Sequence, residues 1–272
     1  VAPVTWCWRR WIAPGRQEEW IARLQGAGCA TWTATERPDR ARILLAVYKA
    51  KREPVAALRD QFGGQVRSLA QSGWLRTKPS PPTRIGNALE IHHAKPRGRM
   101  ARPRLLIPHG LAFGSGEHAT TFMLLRALAR ELPGERVLDL GTGSGVLALA
   151  ARRLGATKIA ATDFDPEAVR TARRNEALNF PAPLVRWSCA EVTKLAAKVR
   201  YNLVLANLFS GVLIDAAPRI AAVVSPGGQL WMSGVLRAQQ EEVSAAYRRQ
   251  GLLPLRITRR GKWVMLQFSR PL

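Results

Sequence analysis

The chain has 272 residues, 47% of them apolar, which is enough for one sizeable domain and a smaller one and too apolar for a disordered protein. Lys and Arg number 42 against 19 acidic residues, a net charge of +23 that favours polyanionic surroundings such as RNA, although an Arg-rich proteome would spread charge in the same way. No apolar run approaches a membrane span and the start lacks the order of a signal peptide, so no membrane partner and a cytoplasmic location are expected.

Residues 4–70 alternate strand and helix signals. Val4–Trp11 reads as a strand, Gly15 to Gly28 as a helix, and Ala30–Thr35 and Arg42–Lys49 as a strand pair parted by Pro38-Asp39. Pro54–Phe62 is predicted helical up to Gly63-Gly64, and Gln65–Ala70 is a short strand. The order β-α-β-β-α-β is that of a small ferredoxin-like α+β domain over 1–70. Trp6 and Trp8 share a strand face there, which suits core packing more than base stacking. Residues 71–105 read as an extended, semi-rigid linker, because Pro79, Pro81, Pro82, Pro96 and Pro103 oppose a long helix; one strand candidate, Arg84–His92, lies among them. His92 and His93 are adjacent strand residues pointing to opposite faces, and Cys7, Cys29 and Cys189 form no C-x-x-C pair. No metal site is therefore expected.

The third region, 106–272, has a regular α/β rhythm. Helix is predicted from Ala119 to about Glu131, over Val146–Leu154, Pro166–Asn179, Val212–Val224 and Ala238–Gln250. Strands are predicted at Arg136–Leu140, Lys158–Asp163, Leu184–Trp187, Tyr201–Asn207, Gln229–Ser233, Leu253–Arg259 and Trp263–Phe268. Such alternation implies a doubly wound, mainly parallel Rossmann-like sheet with a terminal antiparallel hairpin.

The chemistry concentrates at Asp139-Leu-Gly-Thr-Gly-Ser-Gly145, where a buried strand feeds a glycine turn that opens a helix. Ligands of such sheets bind beyond the carboxyl ends of the strands. The third small residue of a dinucleotide fingerprint would fall at Val146, and no G-K-[ST] of a triphosphate loop is present. Gly141 and Gly143 thus bring the backbone close to another kind of ligand. Asp139 would repel a pyrophosphate but suits a cationic one, such as a sulfonium carrying an amino-acid ammonium. Asp163 ends the next strand, where a carboxylate can take both ribose hydroxyls. Together these residues point to S-adenosylmethionine as cofactor.

Asp139–Gly145 with Asp163 resembles the class I S-adenosylmethionine-dependent methyltransferases. Gly110-Leu-Ala-Phe-Gly-Ser-Gly-Glu-His-Ala-Thr-Thr121, Ala206-Asn-Leu-Phe-Ser-Gly211 and Ser233-Gly-Val-Leu236 are similar to segments of the ribosomal protein L11 methyltransferase family. The resemblance runs from about residue 105 to the end and extends more faintly to the small domain and Arg84-Ile-Gly-Asn87. It implies that Thr121 and Gly141 hold the methionine end of the cofactor, Asp163 the ribose and Asn207 the reacting end, with Phe113 and His118 in the motif that closes over the methyl donor. It further implies a protein methyltransferase acting on lysine or N-terminal amino groups of a ribosomal protein, recognised by the small domain. Ser115 and Glu117 occupy the motif's variable places, and Ser188-Cys189-Ala190-Glu191 stands where the family's plain Asp contact to adenine is sought.

From the residues themselves, methyl transfer is an in-line displacement that needs a neutral amine held at the methyl group. The Asn207 carbonyl can accept from that amine, and His118 or solvent can take the proton. Two other readings compete. An RNA amino-methyltransferase would use the basic surface on ribosomal RNA, but Asn207-Leu-Phe-Ser210 lacks the N-P-P-[YF] pattern such enzymes carry. A non-catalytic RNA-binding or assembly protein would have no need of Asp139, Gly141, Gly143, Asp163 and Asn207. A monomer is expected.

Overall fold

The computed structural model describes residues 4–13, 15–29, 32–37, 42–49, 51–70, 81–95, 102–109, 114–196 and 199–272. The chain divides into two compact units, Val1–Ser80 and Pro81–Leu272. No helix among the described residues is long and apolar enough to cross a membrane.

The first unit has the expected order: β1 (Val4–Ile12), α1 (Gln17–Gly26), β2 (Thr33–Arg37), β3 (Arg42–Lys49), α2 (Arg52–Phe62) and β4 (Gln65–Ala70). Its strands form one antiparallel sheet in the order β2-β3-β1-β4. Trp8, Trp20, Leu24, Leu45, Val47 and Val55 make the core, so Trp8 packs inside as its strand face suggested. The indole nitrogen of Trp8 donates to the Gly63 carbonyl (2.7 Å), which ties β1 to the end of α2.

The second unit starts earlier than its composition indicates. Two short strands, β5 (Thr83–Ile85) and β6 (Leu89–His92), form a hairpin, and β7 (Arg104–Leu106) pairs parallel to β6. Ile85, Leu89, Ile91, Leu105 and Ile107 are fully buried in the core of this unit. Of the linker expected over 71–105, residues 71–80 and 96–101 lie outside the described residues, and the described part is packed structure. The apolar side chains of β5 to β7 supply burial that outweighs what the prolines between them suggest. The single strand expected over Arg84–His92 is broken at Gly86-Asn87 by the hairpin turn.

The main sheet contains β8 (Arg136–Leu140), β9 (Lys158–Asp163), β10 (Arg186–Cys189), β11 (Tyr201–Asn207), β12 (Val224–Leu236), β13 (Leu253–Arg260) and β14 (Trp263–Ser269), in the order β10-β9-β8-β11-β12-β14-β13. Its first five strands are parallel, and β14 runs antiparallel between β12 and β13. Both faces are covered. Leu203 and Leu205 of β11 point into a core with α3 (Ala119–Arg130), α4 (Val146–Arg153) and α5 (Pro166–Asn179). Val204 and Ala206 point into a second core with α6 (Ser210–Asp215), α7 (Ala217–Ala222) and α8 (Gln240–Arg248). This period-two division of a nearly continuous apolar run is what a doubly covered parallel strand requires.

Three expected elements differ, each for a local reason. The helix expected over Val212–Val224 is two helices, because Pro218 in the first turn of α7 has no N–H with which to continue α6. β10 begins two residues later than the expected Leu184, because the Leu184 and Val185 amides donate to the Glu176 carboxylate instead of to a strand (2.9 and 3.0 Å). β12 outruns the expected Gln229–Ser233 at both ends, pairing with β11 from Val224 and with β14 as far as Leu236.

Glu176 also accepts from the Trp187 indole (2.7 Å) and from Arg152 (2.5 Å), and is 3% exposed. Truncation would leave three N–H donors without their acceptor and take the carboxylate away from the part-buried Arg152. Glu176→Ala is expected to cost about 3–5 kcal/mol in urea unfolding, as for a broken buried ion pair. A loss below about 1 kcal/mol would show that the hub is dispensable.

Candidate active site

The parallel strands leave β8 in opposite directions: β9 and β10 to one side, β11 and β12 to the other. The gap beyond the carboxyl ends of β8 and β11 is thus the switch point at which such sheets bind ligands. The turn Gly141–Gly145 lies there. Gly141 and Thr142 donate their amides to the Thr162 carbonyl of β9 (2.9 and 3.0 Å), so the neighbouring strand fixes the turn.

Two carboxylates hold the turn from its ends. Asp139 is fully buried; its Oδ2 accepts from Thr142 Oγ1 (2.6 Å) and the Ala148 amide (3.2 Å), while its Oδ1 meets no donor among the described residues. Asp163, ending β9, accepts from the Gly143 amide through Oδ2 (2.8 Å) and from the Asp165 amide through Oδ1 (3.0 Å). Burial raises the Asp139 carboxyl to about 7 against the pull of its two hydrogen bonds, and the Asp163 charge adds to the rise. Burial likewise raises Asp163, opposed by the backbone amides it accepts from.

The third glycine is explained by packing. Gly145 sits at the left-handed start of α4, with a φ of 83°, and a Cβ there would lie 2.9 Å from the Trp187 ring and 3.0 Å from the Ala172 methyl. The same Trp187 is held by Glu176, so the turn rests on that buried hub.

From the other side, Asn207 ends β11 and its Nδ2 donates to Thr121 Oγ1 in the first turn of α3 (3.0 Å). Thr121 is 1% exposed and Asn207 half-buried. No donor among the described residues meets Asn207 Oδ1. Leu208 follows, and its side chain fills the space a Cβ at Gly141 would need. Gly234 backs this segment: at a φ of 88°, any Cβ there would collide with the Leu208 backbone. Sequence reading did not single Gly234 out, although a glycine inside a strand pattern signals such close approach.

His118 caps α3. Its Nδ1 pairs with Thr120 Oγ1 (2.8 Å) and receives the Thr120 amide (3.5 Å), and its ring stands edge-on to Trp263, centroids 5.2 Å apart. Burial and the Lys262 charge lower its pKa, which suits a neutral capping acceptor. The structure therefore gathers Asp139, Gly141, Gly143, Asp163, Thr121 and Asn207 at one sheet edge, with His118 next to Thr121. Phe113 lies outside the described residues. The motif loop reaches the turn through Ser144, whose hydroxyl donates to the Gly114 carbonyl (2.6 Å).

Known proteins decide the family. The family described as ribosomal protein L11 methyltransferase (PrmA) matches residues 32–271. The chain belongs to this family. A ribosomal protein L11 methyltransferase of Cupriavidus taiwanensis is 37% identical over 250 residues, 86% of this chain and 80% of its own. One from Chromohalobacter salexigens is 39% identical over 195 residues, 70% of this chain. The match spans 64% of that relative's length and 62% of the one from Symbiobacterium thermophilum, under two thirds in both. Among solved structures, a ribosomal protein L11 methylase of Lactobacillus delbrueckii subsp. bulgaricus aligns with a TM-score of 0.61 at 28% identity, over 70% of this chain and 99% of that one.

Family membership brings S-adenosylmethionine into question, and two features of the site fit it. Asp139 Oδ1 is a buried, unpartnered acceptor behind the turn, suited to a cationic ligand. Phe164, which follows Asp163 directly, is 54% exposed and is the kind of aromatic surface on which an adenine stacks.

A carboxyl that keeps its proton longer when folded supports folding most at low pH, and that support falls as pH rises from the ordinary carboxylate range through about 7. Thermal unfolding of the protein without cofactor, followed from about pH 5 to about pH 8, is expected to show a stability loss that Asp139→Asn removes. The same slope in the variant would place the buried proton elsewhere.

Proposed function

We propose that this chain is an S-adenosylmethionine-dependent protein methyltransferase that modifies lysine or N-terminal amino groups of a ribosomal protein, with L11 the substrate that the family's description points to. The observation that carries this reading is the Thr121–Asn207 hydrogen bond, which commits Asn207 Nδ2 and leaves its carbonyl oxygen to accept, at the end of the strand paired with β8. S-adenosylmethionine supplies an electrophilic methyl group on a cationic sulfur.

Each residue then has a defined task. Gly141 and Thr121 take the amino-acid end of the cofactor, Phe113 covers it, and the Asp139 charge favours its cationic form from behind the turn. Asp163 has one backbone amide on each oxygen, which fixes its plane and leaves a lone pair on each for the ribose hydroxyls. Asn207 accepts an N–H from the incoming amine through Oδ1 and so aims the nitrogen lone pair at the methyl group without adding charge. The amine sheds its proton to solvent. His118, committed at Nδ1 to the helix cap, positions Thr121 and through it Asn207.

In the same reading the small domain over 1–70 docks the substrate, and the connection that follows it gives the catalytic unit reach. The chain works as a monomer in the cytoplasm, with its +23 charge meeting ribosomal RNA around the substrate.

Labelled methyl transfer into purified L11 and into ribosomal RNA separates the alternatives. Label is expected in a product that protease destroys and RNase spares; the reverse would sink the protein-substrate reading. Asp163→Ala is expected to weaken cofactor binding by about 2–3 kcal/mol in calorimetry. Asn207→Ala should lower kcat well beyond its effect on cofactor affinity. Equal losses in both would contradict the role given to Asn207.

A further inference from the structure

Outside the glycine turn, one cluster of ligand-bearing side chains has no task in the chemistry above. His93 follows β6, His109 precedes the motif loop and Glu117 ends it, and one ligand atom from each lies within 4.8 Å of the others. The His93 side chain is 2% exposed, and its Nε2 is buried without a hydrogen-bond partner among the described residues, 3.6 Å from Glu117 Oε1. Leaving a buried ring nitrogen unpaired is costly, so the atom's setting calls for a partner.

The outer contacts are those of a metal centre. His93 Nδ1 lies 2.9 Å from the Ile107 carbonyl, which fixes the tautomer with Nε2 as the lone-pair nitrogen facing His109 and Glu117. Glu117 Oε2 accepts from Ser115 Oγ (3.3 Å), turning the other oxygen toward His93. The His93 and His109 rings stack with centroids 4.1 Å apart, so the exposed His109 has to turn out of the stack for both lone pairs to meet one ion.

We propose that His93 Nε2, His109 and Glu117 form a binding site for a divalent transition cation of the zinc type, which ties His109 and Glu117 to the buried His93. Two imidazoles and a carboxylate, with a fourth position left for water, are a complete zinc donor set. Ligand atoms around zinc stand about 3.3 Å apart at bond lengths of about 2.0–2.2 Å. His109 and Glu117 are both exposed and close that distance by side-chain rotation, whereas His93 is held by Ile107. The site is independent of what the glycine turn binds. Because the loop it pins reaches Ser144 through Gly114, the ion also steadies the approach to that turn.

The test is a zinc titration of the tag-free, chelator-stripped full chain against a competing chromogenic chelator, with His109→Gln and Glu117→Gln alongside. Both changes are at exposed positions, and equal far-ultraviolet circular dichroism checks that the variants fold. One zinc per chain is expected for the parent, with affinity reduced at least tenfold in each variant. Cobalt in place of zinc should give a visible spectrum without a thiolate charge-transfer band. Substoichiometric binding by the parent, unchanged affinity in both variants, or a thiolate band would each overturn the proposal.

Discussion

The conformation of the turn between β8 and α4 depends on two buried carboxylates that accept from its own hydroxyl and amides. Asp139 holds it through Thr142 and Ala148, and Asp163 holds it through Gly143. Both acids are costly where they stand, because burial disfavours their charged forms and the Asp163 charge adds to the rise of Asp139. A protein gains nothing in stability from such an arrangement alone. A cationic ligand changes the balance, since it meets the negative charge in a poorly screened place and relieves the cost. The feature that makes the turn expensive is thus the one that makes it selective.

Everything around the turn keeps it in place. β9 contributes the Thr162 carbonyl, Trp187 fills the space that Gly145 leaves open, and Glu176 fixes Trp187 from below. Across the switch point, Leu208 lies against Gly141, and the bare backbone of Gly234 lets the Leu208 main chain approach. Asn207 is thereby set at a fixed height above β11 and locked to α3 through Thr121. Positioning of this kind suits a displacement reaction, where orientation supplies much of the rate.

Much of this was readable from residues alone. The strands of the second unit announced themselves because doubly buried strands are continuous apolar runs between turn residues, and Asp139, Asp163 and Asn207 because each is a polar residue at the end of such a run or one place before it. The rest was hidden for physical reasons. The prolines between β5, β6 and β7 outweighed their few apolar side chains in any local reading, yet those side chains fill the core. Leu184 and Val185 look like strand residues, but their amides are taken by a carboxylate some distance away in sequence. Pro218 divides a helix whose periodicity is otherwise unbroken. His93, paired in sequence with His92, looked like half of a poor chelate; its true neighbours, His109 and Glu117, meet it only through the fold.

The central assignment is the cofactor at the β8–β11 switch point, and a crystal structure with S-adenosylhomocysteine tests it most directly. Density is expected with the ribose hydroxyls on Asp163, the amino-acid end over Gly141 and Thr121, and the sulfur facing Asn207. Density elsewhere on the molecule, or at this edge with Asp163 and Asn207 untouched, would contradict the assignment.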